Sequence, residues 1–432
     1  PGPAGPRGPR PWGGRWGRPR GGGGGGAPWL VDAFASGFRD QPEQYALAVE
    51  LLRLTFPYLL FISLTALAGG ILNSCGRFAV PALTPVGLNL CLMAALGWAW
   101  YSAATPAEAA WLLALGVLLA GVVQLAFQVP FLHREGLLPR PVWGAGHPGV
   151  RRIVTLMVPT LFGASVTQLN VLINTHLASY LVAGSVSWLY YADRLLEFPL
   201  GLLGVALGTV ILPQLSKDHA TTDPKGFTAT LDWGLRWALA VGIPAAVGLA
   251  LLAVPVLATL FQRGSFGAED VLMTAGALVV YAGGLVPFMA IKVLLPGFYA
   301  RQDTATPVRI ATLAVVVNLA TGLLLIGPLA HVGLALATSL AAVVNAGLLY
   351  HQLQRRGVYR PSPGFWPLVG RLGVAASVMA LGLVIVAGEA RWWLEANLGA
   401  QLAWLLGLIA GGALVYGVTA LALGVRWRHL ER

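Results

Sequence analysis

Apolar residues in this chain come in blocks of about twenty, with few charges inside them. They do not form the one-sided stripe of a soluble amphipathic helix or the alternation of a half-buried strand. Blocks of that length predict helices that cross a membrane, because about 20 residues at 1.5 Å rise traverse the hydrocarbon. From Leu51 onward there are eleven such blocks, over about 54–74, 82–101, 110–132, 153–182, 188–215, 233–261, 271–299, 309–327, 331–353, 366–388 and 401–425. The expected fold class is all-α and polytopic. Several blocks are longer than a bilayer needs, so those helices must tilt, bend or project. Pro199, Pro213, Pro244, Pro255, Pro287 and Pro296 lie inside blocks and offer kink sites, since proline removes a backbone hydrogen bond.

The polar connections alternate in charge. With the loop holding Arg77 labelled inner, the inner loops carry seventeen basic residues, among them Arg134, Arg152, Lys217, Arg301, Arg355, Arg371 and Arg426. The outer segments carry four: Arg39, Arg53, Arg263 and Arg391. Basic residues stay cytoplasmic, so this pattern supports eleven spans and a cytoplasmic C-terminus. It also places residues 29–53 outside, together with Arg7, Arg10, Arg15, Arg18 and Arg20, against the same rule. An odd number of helices before residue 29, or a non-native start, would remove the conflict. Residues 1–28 are Gly, Pro, Arg and Trp almost throughout and are expected to be disordered.

Composition agrees with the block pattern. Of 432 residues, 56% are hydrophobic and 10% charged, whereas a soluble domain carries about 25% charged residues. The net charge of +11 does not point to nucleic acid, because it is spread over loops between apolar blocks. Cys75 and Cys91 are too few for a disulfide framework and read as small packing residues. No metal-ligand spacing occurs, and the run of six glycines is not followed by the Gly-Lys-Ser/Thr of a phosphate loop. No cofactor is expected.

One pattern recurs at about 225 residues. The first block ends in small residues and Asn73-Ser74, then has Arg77, Thr84-Pro85 and a helix bearing Asn89. The seventh ends in Gly297, then has Arg301, Asp303, Thr306-Pro307 and a helix bearing Asn318. A repeat of six helices would make the first block the fourth helix of its copy, with three helices before it. The expected divisions are a first-lobe remnant at 29–152, a six-helix second lobe at 153–354 and two further helices in 355–432.

Particular residues carry a family resemblance. Ser185-Val186-Ser187-Trp188-Leu189-Tyr190-Tyr191-Ala192-Asp193-Arg194-Leu195-Leu196-Glu197-Phe198-Pro199 is similar to the signature of the MurJ/MviN family. So are Gly204 to Thr209, Thr55 to Tyr58, Lys292 to Tyr299 and Arg301 to Thr304. The resemblance runs from about Ala27 to the C-terminus. It implies a fourteen-helix, two-lobe exporter fold in the bacterial inner membrane. It also implies a transporter, not an enzyme, that flips lipid II, the polyprenyl-linked peptidoglycan precursor, by alternating access. Three N-terminal helices of the family have no counterpart here, so transport by this stretch alone is not expected.

Without a nucleophile–base pair, the candidate site is a binding site. Asp193, Arg194 and Glu197 are spaced to share a helical face. Spacing alone leaves two readings open: a local ion pair, or a cavity arginine that grips phosphate through its planar fork. The resemblance implies the second, with Arg194 on the pyrophosphate, Glu197 orienting it and Ser187 as a hydrogen-bond donor. Lys292 either snorkels inward or adds charge to the cavity. Gln168, Asn170, Asn174, Asn318 and Asn345 read first as glue between helices. Arg301 and Asp303 are expected to fix an inner turn. Expected partners are lipid II, membrane lipids and a coupling ion or the membrane potential, since no ATP-binding motif occurs. Alternatives are an exporter of other polyprenyl-linked saccharides or of drugs, and a membrane enzyme acting on polyprenyl phosphates.

Overall fold

The structure is a computed structural model that describes residues 26–137 and 168–426 except 222, with 149, 152, 155 and 157 between them. Residues 1–25 of the expected disordered tail and, apart from 155 and 157, the first half of the fourth block fall outside the described residues, whereas Ala27 and Pro28 already belong to α1. The described elements are α1 (Ala27–Ala35), a 3-10 turn (Ser36–Asp40), α2 (Pro42–Thr55), α3 (Tyr58–Ser74), α4 (Ala79–Tyr101) and α5 (Pro106–Arg134). After α6, described over 168–178, come α7 (Ser185–Ala220), α8 (Pro224–Leu251), α9 (Ala253–Phe261), α10 (Ala268–Tyr299) and α11 (Ala305–Arg355). The chain ends with α12 (Phe365–Val386), α13 (Ala390–Glu395) and α14 (Leu398–Ala422). The all-α polytopic class holds: among the described residues, eight helices are long and apolar enough to span a bilayer. Helix is the expected solution, because hydrocarbon offers backbone groups no partner outside the segment itself.

Two compact units can be distinguished. The first comprises Pro1–Ala33 and Gln41–Arg140, and the second Phe34–Asp40 and Pro141–Arg432. In the first unit α5 is the central helix and α2, α3 and α4 pack on it. It starts at a capping box, with the Glu108 carboxylate accepting from the Thr105 N–H at 2.8 Å. At Gly121 a Cβ would lie 2.7 Å from the Tyr58 ring, so only glycine lets α3 approach so closely. The buried amides of Gln124 and Gln128 face α4. Gln128 donates to the Thr84 hydroxyl at 2.8 Å and Gln124 to the Thr84 carbonyl at 3.3 Å. Cys75 departs from its expected role: it is exposed, because it caps α3 where the chain leaves the helix.

In the second unit α10 is the hub. Fifteen of its 32 residues are buried, and α7, α8, α9 and α11 all pack against it. A Cβ on Gly284 would meet Ser339 at 2.7 Å, which fixes the close crossing of α10 and α11. The Ser339 hydroxyl then donates across that crossing to the Val280 carbonyl at 2.9 Å. The eighth and ninth blocks form α11, whose ladder breaks at Ala330 with φ +48°. The two halves fold back as a hairpin, with Gly333 tight against Leu325 and Thr338 level with Asn318. The sixth block is two helices, α8 and α9, interrupted at Leu252 three residues before Pro255. The other five block prolines lie inside continuous helices.

The connection from α11 to α12 is held at several points. Asp232 on α8 is 5% exposed, and its carboxylate accepts four hydrogen bonds. They come from the Tyr359 hydroxyl (2.9 Å), the Ser362 N–H (3.3 Å), the Ser362 hydroxyl (2.7 Å) and Arg236 Nε (2.7 Å). The Thr228 hydroxyl donates to the Val358 carbonyl at 3.2 Å. Arg356 pairs with Asp303 at 2.5 Å and donates to the Thr306 hydroxyl at 2.8 Å. Asp303 thus fixes the turn as expected, also accepting from the Thr306 N–H at 3.0 Å, whereas its basic partner is Arg356 and among the described residues the Arg301 side chain makes no such bond. Removing one member of a buried pair leaves a charge without compensation. Asp232→Ala is therefore expected to cost about 3–5 kcal/mol and Tyr359→Phe about 1 kcal/mol. Thermal unfolding in detergent checks this, and equal melting temperatures for Asp232→Ala and the parent would contradict the network's role.

The turn also has an acid limit. Partial burial pushes the Asp303 carboxyl up, but hydrogen bonds from Thr306 and Arg356 outweigh it and hold the group at about 2. The folded value lies below the ordinary value of about 4. Its stabilising contribution is therefore complete above the ordinary value and lost as pH falls toward about 2. Melting temperatures measured between pH 5 and pH 2 should fall more steeply for the parent than for Asp303→Asn. Parallel curves would contradict this assignment.

Candidate functional site

The candidate residues lie mainly on α7, and burial divides that helix into two faces. Trp188, Leu189, Ala192 and Leu196 are buried, whereas Ser187, Tyr190, Arg194, Glu197 and Phe198 are exposed. The exposed set follows the three-and-four spacing of one helical face. Arg194 donates to Glu197 at 2.5 Å, with both side chains about half exposed, at 52% and 53%. The Arg194 guanidinium also lies over the Tyr190 ring, 4.9 Å from its centroid. Tyr190 is a contact that sequence reasoning missed, although its four-residue offset from Arg194 could have revealed it. Asp193 does not share this face fully: it is half-buried, one residue round the helix from Arg194.

Lys292 is exposed on α10, which packs against α7. Among the described residues, no hydrogen bond or ion pair joins it to Asp193, Arg194 or Glu197. The arrangement offers an exposed cation held by an acid and an aromatic ring, with a hydroxyl on the same face. It suits binding of an anion, and it places no nucleophile beside a base. No group of metal-ligating side chains occurs among the described residues.

Asn170, Asn174 and Asn318 act as glue, whereas among the described residues Gln168 and Asn345 make no side-chain hydrogen bond. Asn318 is buried and donates to Asn170 at 3.1 Å and Asn174 at 3.2 Å. Asn174 donates to the Thr338 hydroxyl at 2.8 Å, which in turn reaches Asn318 at 3.4 Å. This belt joins α6 to both halves of α11. Asn89, the counterpart of Asn318 in the proposed repeat, is exposed. The two positions therefore match in sequence and differ in environment. Thr338 was missed because its part depends on the α11 hairpin, which no local spacing encodes.

The family profile described as "Lipid II flippase MurJ" matches residues 25–402. The chain belongs to the MurJ family. It is 45% identical over 406 residues to a protein of Vibrio cholerae named "Probable lipid II flippase MurJ", a match covering 94% of this chain and 76% of the relative. A protein of Burkholderia cenocepacia named "Lipid II flippase MurJ" is 44% identical over 359 residues, covering 82% of this chain and 69% of the relative. A solved structure described as "Lipid II flippase MurJ, inward closed conformation" superposes with a TM-score of 0.73. That match covers 91% of this chain and 77% of the other at 23% identity, and shows a shared fold. MurJ proteins are transporters and not enzymes. Membership with these apolar helices makes this a multi-pass protein of the bacterial inner membrane.

Removing the central amide should cost more than its volume. Asn318→Ala leaves Asn170, Asn174 and Thr338 short of a partner, at about 1–3 kcal/mol. Asn89→Ala should be near neutral, because its side chain is exposed. Melting temperatures of the two variants in one detergent compare them directly, and equal losses would contradict the distinction.

Proposed function

We propose that Arg194 binds the pyrophosphate as lipid II is carried from the cytoplasmic to the outer face of the inner membrane. Support comes from family membership together with one observation. α7, a span by its apolar sequence block, exposes an arginine that among the described residues is held by Glu197 and the Tyr190 ring. Charge at such depth is costly and is kept where it meets a polar cavity or substrate. A guanidinium matches phosphate oxygens with two parallel hydrogen bonds, which an ammonium cannot do. Glu197 carries one negative charge and a pyrophosphate more, so the substrate competes for Arg194 and Glu197 reclaims it on release. Ser187 adds a donor, Lys292 adds positive charge from α10, and Asp193 sets the local field.

The proposed frame is two lobes, the second formed by 153–354, with the helix pair in 355–432 beside it. In alternating access the headgroup site opens to one face of the membrane at a time while the polyprenyl tail stays in lipid. The loop charges put the C-terminus in the cytoplasm. With no ATP-binding motif in the sequence, the membrane potential or an ion gradient drives the cycle. An acidic, drug-binding cavity would not centre on Arg194 and Lys292.

The test is complementation of a flippase-depleted bacterium, by the chain and by an N-terminally extended version. Arg194→Ala should abolish growth in whichever background supports it, with undiminished protein in the membrane. Arg194→Lys should rescue poorly. Normal growth of Arg194→Ala would reduce the Arg194–Glu197 pair to a structural contact.

A further inference from the structure

The exposed face of α7 is useful only if the helix holds its rotation. Six residues separate Trp188 from Arg194, about 9 Å along the axis and about 120° round it. Turning α7 by one residue would bring half-buried Asp193 or Leu195 to the exposed face and carry Arg194 toward the core. Apolar contacts resist that turn weakly, since helix packing in lipid lacks a hydrophobic driving force and has little directionality. Hydrogen bonds to neighbouring helices do have direction. At the outer end of α7 the Trp188 indole N–H donates to Asp270 of α10 at 2.7 Å. At the inner end Asp218 accepts from Thr230 of α8 at 2.9 Å.

Two prolines stand between the inner bond and Arg194. Pro199 and Pro213 both lie inside α7, and each lacks the N–H that would tie it to the preceding turn. The segment from Ser185 to Phe198 is therefore governed from its outer end, by Trp188. Its ring is boxed on several sides. The His331 imidazole lies 4.9 Å from it, and His331 Nε2 donates to the Met273 carbonyl at 2.9 Å. His331 follows the Ala330 break, so the α11 hairpin delivers it there. On the other side Gly184, with φ +104°, lets the backbone pass where a Cβ would sit 2.7 Å from the indole. Asp270 is itself fixed, its second oxygen accepting from the Gly267 N–H at 2.9 Å.

We propose that Trp188 is a positioning residue for transport: its bond to Asp270 sets the rotation of the outer half of α7 and so the presentation of Arg194. The proposal rests on the reading of Arg194 as the pyrophosphate ligand. Trp188→Phe keeps most of the ring and removes the donor. Asp270→Leu removes the acceptor, whereas Asp270→Asn keeps an oxygen for the indole. Two single-cysteine reporters follow the rotation without substrate. Ser187→Cys is on the exposed face and Ala192→Cys is fully buried.

In the parent, a water-soluble maleimide should label Ser187→Cys and spare Ala192→Cys. With Trp188→Phe or Asp270→Leu added, labelling of Ala192→Cys should rise severalfold, and lipid II translocation in proteoliposomes should fall by about tenfold or more. Asp270→Asn should behave as the parent in both measurements, and combining Trp188→Phe with Asp270→Leu should be no worse than either alone. An unchanged labelling pattern in Trp188→Phe would overturn the proposal whatever Arg194 does. So would an Asp270→Asn protein as impaired as Asp270→Leu, because charge and not the bond would then be required. Failure of the substrate reading shows separately, as normal growth of Arg194→Ala with the labelling response intact.

Discussion

Hydrocarbon offers no hydrogen bonds, so a polar side chain at membrane depth must find its partner within the protein or face a cavity. That constraint accounts for most polar contacts in the chain. The amide nitrogens of Gln124 and Gln128 donate to Thr84, and Asn318 bonds Asn170, Asn174 and Thr338. Asp232 takes four donors from Tyr359, Ser362 and Arg236. Against that background Arg194 stands apart, a charge on an exposed helical face with Glu197 and the Tyr190 ring beside it. On the proposed reading, the same rule that makes the amides structural leaves Arg194 available to an anionic ligand.

Much of this was legible in the sequence because it depends on local periodicity. Apolar block length gives the all-α polytopic class, and the spacing of Arg194 and Glu197 puts them on one face before any packing is known. The inner turn at Asp303 was legible too, since a short charged loop next to Thr-Pro has few other uses. What was hidden depends on chain reversal. The break at Ala330 places Thr338 beside Asn318, and no spacing rule connects residues twenty apart across a hairpin. The split of the sixth block at Leu252 was blurred because the residues on both sides of it, from Trp237 to Ala258, are apolar, and composition reports burial in lipid and not helix continuity. Asp193 was grouped with Arg194 because sequence spacing cannot say which side of a shared face turns toward the core.

Close approach of helices is the second organising theme, and it falls to small residues. Gly121 admits Tyr58, Gly234 admits Ile211 and Val293, and Gly284 admits Ser339. Each crossing substitutes dispersion between tightly fitted surfaces for the hydrophobic drive that lipid withholds. α10 can then act as a hub with neighbours on nearly every side, which a helix of bulky residues could not do. The hydrogen bonds at Trp188, Asp218 and Asp232 add what fitted surfaces lack, a preferred rotation for each helix.

The segment from Arg356 to Ser362 looks from its sequence like a spare hydrophilic tether, since it is short, basic and flanked by Gly357, Pro361 and Pro363. In the folded chain it is anchored to Asp303, Thr306, Thr228, Asp232 and Arg236. Reporter domains for mapping sidedness are usually spliced into such tethers, on the assumption that they tolerate insertion. Here the splice would unpick the underside of three helices. The turn around Gly264, with nothing within 4 Å of a built Cβ, is the gentler place to graft one.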